Sequence, residues 1–302
     1  MTAWTERTSS PFGRALTAVV SPMHDDGTLD LAGLQKVVSH LLDTGHDGVV
    51  VNGTTGESAT TTDDEQDAIL RAALEVVGDR GRVVAGVGTN DTAHTVGLAK
   101  QAEATGAHGL LVVTPYYNRP TQPGLLAHFT TVADATGLPV MLYDIPARTG
   151  TPIATETLLR LAEHPRIVAV KDAKGDIAAS SEVIAKTDLA YYSGDDINLL
   201  PLLAVGGIGV VSVCAHVAGP EIASLIAAYD DGRVGDALAL HQRLLPVFRG
   251  TFRTQGTILT KAALNIIGLP AGPVRLPLVD ATPEQIAVLR DDYAAGGITL
   301  PS

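Results

Sequence analysis

The sequence predicts an α/β fold in which eight parallel strands, each followed by a helix, close into a barrel that precedes a helical C-terminal appendage. Eight short runs rich in Val, Leu and Ile recur before residue 214, separated by stretches of helical periodicity. Apolar runs without strict alternation are typical of parallel strands covered on both faces. No G-x-G-x-x-G follows the first run, which disfavours the alternative, a doubly wound open sheet. Eight such units favour a (β/α)8 TIM barrel.

Each element has a local reason. The predicted strands span residues 15–20, 48–51, 82–86, 109–113, 139–143, 167–170, 189–192 and 209–213. Apolar residues at helical spacing predict helices over residues 31–42, 67–77 and 95–104. Thr62 followed by Glu65 fits a capping box, and Thr151-Pro152 fits an N-cap with proline at the first helical position.

Strand signals stop after about residue 232, and helices are predicted over residues 234–248, 257–267 and 282–295. We therefore expect a catalytic barrel over residues 1–232 and a helical domain over residues 233–302.

Composition excludes several classes of function. The chain has 302 residues, of which 45% are hydrophobic and 18% charged, a globular balance. The net charge of −12 disfavours nucleic acid and anionic membranes as partners. The single cysteine, Cys214, excludes an intrachain disulfide and a zinc knuckle. Residues 1–13 do not resemble a signal peptide, and no apolar run is long enough to span a membrane, so we expect a cytoplasmic protein.

In this fold, function lies at the C-terminal ends of the strands. After the second strand, Gly53-Thr54-Thr55-Gly56-Glu57-Ser58 offers backbone N–H groups and two hydroxyls to a small anion such as a carboxylate, although a plain turn fits the spacing too. The adjacent Tyr116 and Tyr117 after the fourth strand are candidates for a catalytic hydroxyl, with barrel capping or a subunit contact as the alternative.

The fifth and sixth strands carry the chemistry. Tyr143 closes the fifth strand, and Arg148 suits bidentate binding of a carboxylate or, alternatively, a loop salt bridge. The sixth strand is an apolar run that ends in Lys171, one of only six lysines. An amine surrounded by apolar side chains has a lowered pKa and can attack a ketone to form an imine. The alternative is a solvated lysine at the end of a strand, with no role in catalysis.

The seventh and eighth strands contribute less specific signals. Gly194 would permit close approach of a substrate. Asp195 and Asp196 fit an N-cap or a metal site, but no clustered His/Asp or H-E-x-x-H pattern accompanies them, so no metal and no cofactor is expected. Cys214 is interpreted as a small core residue.

Together these residues resemble the pyruvate-dependent Schiff-base lyases, and among them the dihydrodipicolinate synthase family, over essentially the whole chain. The motifs that carry the resemblance are Gly53-Thr54-Thr55-Gly56-Glu57-Ser58, Thr114-Pro115-Tyr116-Tyr117-Asn118-Arg119-Pro120, Tyr143 with Pro146 and Arg148-Thr149-Gly150, Val170-Lys171-Asp172-Ala173, and Ser193-Gly194-Asp195-Asp196. Asp144 departs from the Asn that more commonly follows this tyrosine in the family.

The resemblance implies a role for each residue. Lys171 forms the imine with pyruvate, Tyr143 shuttles protons, and Thr54 and Tyr117 complete a relay with it. Thr55 holds the pyruvate carboxylate in a site that Val211 also lines. Arg148 binds the carboxylate of L-aspartate 4-semialdehyde. The family is usually a homotetramer of tight dimers, with Tyr117 crossing the dimer interface.

Three other functions fit the same barrel. Sister lyases cleave N-acetylneuraminate or 2-keto-3-deoxy sugar acids by the same imine, but neuraminate lyases more often carry Ser-Thr in the loop and lack the arginine. A metal-dependent aldolase would be sensitive to EDTA. A keto-acid sensor would tolerate loss of the relay hydroxyls, all three of which are present.

The resemblance also bears on feedback by lysine, which sensitive family members bind in a cleft at the tight-dimer interface. By alignment, the corresponding positions are Ser58, Ala59, Asp63, Gln66, Asn90, His94 and Tyr116. Asp63 and Gln66 stand where sensitive enzymes often carry His, and His94 stands where many carry a Glu that pairs with the lysine ammonium. The sequence therefore predicts weak or absent inhibition by lysine, unless Asp63 supplies the missing negative charge.

Overall fold

A computed structural model describes residues 10–301. Its eight strands form a closed barrel in the order β1 to β8. They are β1 (Ala15–Ala18), β2 (Gly48–Val51), β3 (Arg82–Gly86), β4 (Gly109–Val113), β5 (Val140–Asp144), β6 (Ile167–Asp172), β7 (Ala190–Ser193) and β8 (Gly209–Ser212). The predicted barrel is confirmed, and each strand starts within one residue of its predicted start.

Twelve α-helices occur in the described residues. They are α1 (Leu31–Asp43), α2 (Asp63–Val77), α3 (Thr92–Thr105), α4 (Gln122–Asp134), α5 (Pro146–Thr149), α6 (Thr155–Leu161), α7 (Ile177–Lys186), α8 (Leu199–Ala204), α9 (Ala215–Asp230), α10 (Val234–Thr251), α11 (Gly256–Ile266) and α12 (Pro283–Ala295). The helical character of the C-terminal region is confirmed. None of the twelve helices in the described residues is long and apolar enough to cross a membrane.

Two compact units make up the chain: residues 10–14 with Val84–Val211, and Ala15–Val83 with residues 212–301. In the first unit, β4, β5, β6 and β7 pair in parallel, so Tyr143 stands opposite Lys171, and Lys171 opposite Tyr192. The Tyr192 hydroxyl donates to the carbonyl of Gly13 over 2.8 Å. The domain boundary at residue 232 stays a prediction.

In the second unit, β1 and β2 pair in parallel. The capping box at Thr62 is confirmed: its hydroxyl accepts from the backbone N–H of Glu65, whose carboxylate accepts from the N–H of Thr62. Helix α2 therefore begins four residues before the predicted position 67. In the C-terminal region, the buried hydroxyls of Thr251 and Tyr293 lie 3.0 Å apart and join α10 to α12.

The predicted N-cap at Thr151-Pro152 is wrong. Helix α6 begins at Thr155, and residues 150–154 are not helical. The backbone N–H of Ile153 donates to Oδ1 of Asp144, and that of Ala154 donates to the side chain of Gln122. These bonds to neighbouring elements hold the proline segment outside a helix, which a local capping pattern does not predict.

Candidate active site

Lys171 lies near the end of β6, and its side chain is buried although it carries an amine. Its neighbours explain the position, because β6 pairs with β5 so that Lys171 stands opposite Tyr143. The Nζ atom lies 4.1 Å from the centroid of the Tyr143 ring. Lys171 and Tyr143 are only 4% and 6% exposed. The structural alternative of a solvated strand-end lysine is therefore wrong.

The pKa of Lys171 is lowered to about 8, chiefly by burial; the nearby positive charge of Arg148 contributes to the shift, and the carboxylates of Asp195 and Asp196 oppose it. An ordinary lysine has a pKa of about 10.4, so at pH 7 it holds almost no neutral amine. A pKa of about 8 leaves roughly a tenth of the side chain neutral at that pH. This neutral amine is the nucleophile that imine formation requires.

Tyr143 is held from its backbone side by the residue that follows β4. Both the backbone N–H and the hydroxyl of Thr114 donate to the Tyr143 carbonyl, over 3.0 and 3.1 Å. Thr114 is itself fully buried. The Tyr143 backbone is therefore fixed beside the lysine, with the phenol ring against Nζ.

Gly194, Asp195 and Asp196 follow β7 directly. A Cβ on Gly194 would lie 2.9 Å from the Cβ of Ala173, so close packing requires glycine here. The pKa of Asp195 is raised to about 6, chiefly by burial and also by the charge of Asp196, while Lys171 and Arg148 oppose the shift. Asp195 precedes a short 3-10 turn, but its side chain forms no cap hydrogen bond. Asp195 therefore occupies the predicted N-cap position without a capping bond, and the two acids act on Lys171 through their charge.

Arg148 lies on α5, a single helical turn that ends at Thr149 and is capped by Gly150, whose positive φ of 77° suits glycine. The Arg148 side chain is exposed. The buried Thr149 beside it donates its hydroxyl to the carbonyls of Ile145 and Thr151. The turn is thus anchored at one residue while its neighbour presents a guanidinium to solvent, within electrostatic range of Lys171 and Asp195.

A second group of charges lies on the opposite strand face from Tyr143 and Lys171, because alternate residues of a strand point to opposite sides. Asp144 pairs with Lys174 over 3.5 Å, and Asp172 accepts from the hydroxyl of Ser180. Burial raises the pKa of Asp144 to about 6, which the neighbouring Asp172 also favours and Lys174 opposes. These residues fix the backbone on which Tyr143 and Lys171 stand.

The two tyrosines after β4 differ in exposure. Tyr116 is 38% and Tyr117 is 90% exposed. Tyr117 also has a φ of 73°, a conformation that is uncommon for a residue with a bulky side chain. Asn118 fixes the segment by donating its side-chain amide to the carbonyl of Asn90. Val211, on β8 of the same unit, is fully buried.

In the second unit, residues 53–58 form what we call the Thr-Thr loop. Thr54 is exposed and Thr55 is buried. The loop is a tight turn in which the N–H groups of Gly56 and Ser58 both bond to the Gly53 carbonyl. The hydroxyl of Thr257 donates to the carbonyl of Thr55 over 3.2 Å.

Reasoning from the sequence missed two sets of charged residues. The sequence predicts a cap or a metal site at Asp195 and Asp196, whereas their position after the strand paired with that of Lys171 lets their charges act on its amine. Sequence reasoning also passed over the buried ion pair between Glu57 and Lys261, whose Oε1 and Nζ lie 2.6 Å apart. Glu57 was visible only as part of the loop motif, and nothing local marked Lys261.

Comparison with known proteins places the chain. The model of the dihydrodipicolinate synthetase family matches residues 11–294. The chain is 67% identical over 290 residues to 4-hydroxy-tetrahydrodipicolinate synthase from Acidothermus cellulolyticus, covering 96% of this chain and 94% of the relative. It is 60% identical to 4-hydroxy-tetrahydrodipicolinate synthase 2 from Streptomyces coelicolor, covering 98% and 99%.

Solved structures agree. The dihydrodipicolinate synthase of Cyanidioschyzon merolae, crystallised with lysine bound, matches with a TM-score of 0.93 and 42% identity, covering 96% of this chain and 99% of that one. The enzyme of Acinetobacter baumannii, crystallised with pyruvate, matches with a TM-score of 0.92 and 34% identity, covering 95% and 99%. The chain belongs to the dihydrodipicolinate synthetase family.

Proposed function

We propose that the protein is a lyase that condenses pyruvate with L-aspartate 4-semialdehyde to give 4-hydroxy-tetrahydrodipicolinate, the first committed step of diaminopimelate and lysine biosynthesis. The observation that carries the proposal is the buried Lys171 against the Tyr143 ring, with a pKa of about 8. Relatives at 50–67% identity bear the name of this activity, which favours it over the sister sugar-acid lyases.

The chemistry begins at the Lys171 amine. Its lone pair attacks the C2 ketone of pyruvate, and loss of water gives the imine. Loss of a proton from C3 then gives an enamine, because the imine nitrogen accepts the electron pair. C3 attacks the aldehyde carbon of the second substrate, whose oxygen takes up a proton. The amino group of that substrate then attacks C2 and expels Lys171, which closes the six-membered ring.

Proton transfers in these steps need a group beside C2 and C3. Tyr143 is the candidate, since its ring lies against Nζ, and we propose that Thr54 and Tyr117 complete its relay to solvent. A phenol with a pKa of about 10 is a poor shuttle alone, and a chain of hydroxyls lets it exchange protons.

Substrate binding is proposed for four further residues. Thr55 would hold the pyruvate carboxylate in a site lined by Val211, and Gly194 would leave room for the substrate. Arg148, exposed on its one-turn helix, would bind the carboxylate of the semialdehyde. A bidentate guanidinium–carboxylate pair fixes the orientation of the bound carboxylate as well as neutralising its charge.

We also propose a homotetramer built from tight dimers, located in the cytoplasm. The 90% exposure of Tyr117, together with its unusual backbone, supports a role in which a second copy covers it. Light scattering tests the oligomer, and a monomerised protein should be poorly active if Tyr117 completes the relay across the interface.

The activity is tested by supplying pyruvate and L-aspartate semialdehyde in an assay coupled to the next reductase, with N-acetylneuraminate cleavage measured in parallel. Turnover in the coupled assay with negligible neuraminate cleavage is expected. Efficient neuraminate cleavage without coupled turnover would support the sister-lyase function instead.

A further inference from the structure

Glu57, the fifth residue of the Thr-Thr loop, binds two partners from the C-terminal region. Its Oε1 lies 2.6 Å from Nζ of Lys261, and its Oε2 accepts from the backbone N–H of Arg275 over 2.8 Å. The Glu57 and Lys261 side chains are 1% and 2% exposed. Charges at this depth are strongly unfavourable unless each is paired, and this pairing ties the loop to α11 and to the segment before α12.

Helix α11 contacts the loop at a second point. Thr257 and Lys261 are four residues apart, so they lie on one face of the helix. The Thr257 hydroxyl donates to the carbonyl of Thr55, while Lys261 reaches Glu57 and also donates to the carbonyl of Pro273 over 2.7 Å. One face of α11 therefore contacts the loop at Thr55, before Gly56, and at Glu57, after it.

The backbone of the loop requires such support. Asn52 and Glu57, which bracket the two threonines, have φ values of 55° and 57°. Non-glycine residues persist in this left-handed region when surrounding contacts determine their conformation. The Asn52 side chain donates to the carbonyl of Gln66 at one end. At the other end the Glu57 carboxylate is held by Lys261 and Arg275.

Arg275 extends the support to α2. Its guanidinium pairs with the Glu65 carboxylate over 2.5 Å and donates to the carbonyls of Gly27 and Thr60. Glu65 also completes the capping box of α2. The residues on both sides of the Thr-Thr loop are thus fixed by one network of ionic and polar contacts.

We propose that the face of α11 formed by Thr257 and Lys261 positions the Thr-Thr loop for binding the carboxylate of the keto acid. Glu57, Lys261 and Thr257 are positioning residues in this account: they fix the backbone that presents Thr54 and Thr55 and do not touch the substrate. The inference rests on the proposed function, and it assigns to the helical appendage a share in the affinity for the first substrate.

A purely structural role would predict a different result from a positioning role, and a double substitution separates them. Glu57→Leu/Lys261→Met replaces the buried pair by apolar side chains of similar volume, a change that often leaves stability intact. The readout is the pyruvate concentration that half-saturates imine formation, measured by borohydride trapping and mass spectrometry. Thermal unfolding of the same variant reports stability separately.

We expect the double variant to unfold near the wild-type temperature and to need about tenfold more pyruvate, the loss that corresponds to one net hydrogen bond. Half-saturation at the wild-type pyruvate concentration in a folded variant would overturn the inference. Wild-type protein that forms no pyruvate adduct at all would instead refute the proposed function, so the two failures are distinguishable.

Two further variants complete the test. Thr257→Val removes only the hydroxyl that bonds to Thr55 and keeps the side-chain volume, so it decides the question if the double variant does not fold. It should raise the half-saturating pyruvate concentration, and an unchanged value would contradict the proposal.

Arg253→Gln/Asp292→Asn is the control variant. It breaks an ion pair between Arg253 and Asp292 on α12, and it should leave the pyruvate dependence unchanged. An equal increase in that control would show that any weakening of the C-terminal region has the same effect, and would overturn the specific role of α11.

Discussion

The amine of Lys171 lies 4.1 Å from the ring centroid of Tyr143 because the two residues stand opposite each other on neighbouring parallel strands. The register of β5 against β6 therefore places the nucleophile beside the candidate proton shuttle. A ring face attracts the ammonium form, whereas burial and the charge of Arg148 disfavour it. The balance leaves an amine that titrates close to physiological pH.

This balance predicts the pH dependence of the first step. The neutral amine attacks pyruvate, so kcat/KM for pyruvate should rise with pH and level off above about 8, the pKa of Lys171. Asp195→Asn removes a negative charge that favours the ammonium form, so it should lower that pKa and move the inflection to lower pH. Asp188→Asn is the matched control, because Asp188 is exposed and is not among the charges that shift the pKa of Lys171. An inflection that moves equally in both variants, or upwards in Asp195→Asn, contradicts the assignment.

Tyr143→Phe separates the ring of the tyrosine from its hydroxyl. The ring against Nζ remains, so the Lys171 pKa and the capacity to form an adduct should persist. The proton shuttle is lost, so kcat should fall by about 10² or more, the low end for general acid–base catalysis. Steady-state kinetics and borohydride trapping on the same preparation check both parts. Near-normal kcat in the Phe variant would remove Tyr143 from the mechanism.

Arg148 should select the second substrate. Arg148→Ala removes a guanidinium that can bind a carboxylate through two hydrogen bonds, so the KM for aspartate semialdehyde should rise about 10- to 100-fold. The KM for pyruvate should change far less. Arg148→Lys keeps the charge without the planar fork and should not restore affinity. Equal increases in both KM values would indicate a structural arginine.

Lysine should inhibit this enzyme weakly or not at all. His94 stands where many sensitive relatives carry a glutamate, and loss of a charge-assisted hydrogen bond costs roughly 1.5–3 kcal/mol, or about 10- to 100-fold in affinity. The side-chain amide of Gln66 donates to the Ser58 carbonyl and to the Thr61 hydroxyl, both in the segment just before it. His94→Glu should therefore increase sensitivity. Titration of L-lysine at saturating pyruvate checks this, and half-inhibition of the native protein below about 1 mM, near −4 kcal/mol of binding, would show the prediction to be wrong.

The barrel could be predicted from the sequence because each strand contains a short run of mostly apolar residues. Local chemistry was equally clear at Thr62, where the capping box lies within four residues of sequence. At Thr151-Pro152 the same kind of local signal failed, because the backbone N–H of Ile153 donates to Asp144 on another element and holds the segment outside a helix. Local patterns predict an element only where no distant partner competes for its backbone.

The residues of the candidate site also differ in whether local sequence reveals their role. Lys171 stood out because a charged residue ends an apolar strand, and Tyr143 and Arg148 because their types suit proton transfer and carboxylate binding. The effect of Asp195 on Lys171 depends on the pairing of β6 with β7, which sequence periodicity does not give. The pairing of Glu57 with Lys261 joins the loop after β2 to α11 in the C-terminal region, two segments far apart in the sequence, so no local spacing could reveal it.

The most direct test of the account is the identity of the residue that bonds to pyruvate. Incubation with pyruvate, reduction with borohydride and peptide mapping by mass spectrometry should place one adduct on Lys171, which the structure shows buried with a lowered pKa. Lys174 provides the internal comparison, since it lies three residues along the chain and pairs with Asp144. Lys171→Ala should stay folded and form no adduct. An adduct on Lys174 or another lysine, or none in the native protein, would contradict the account.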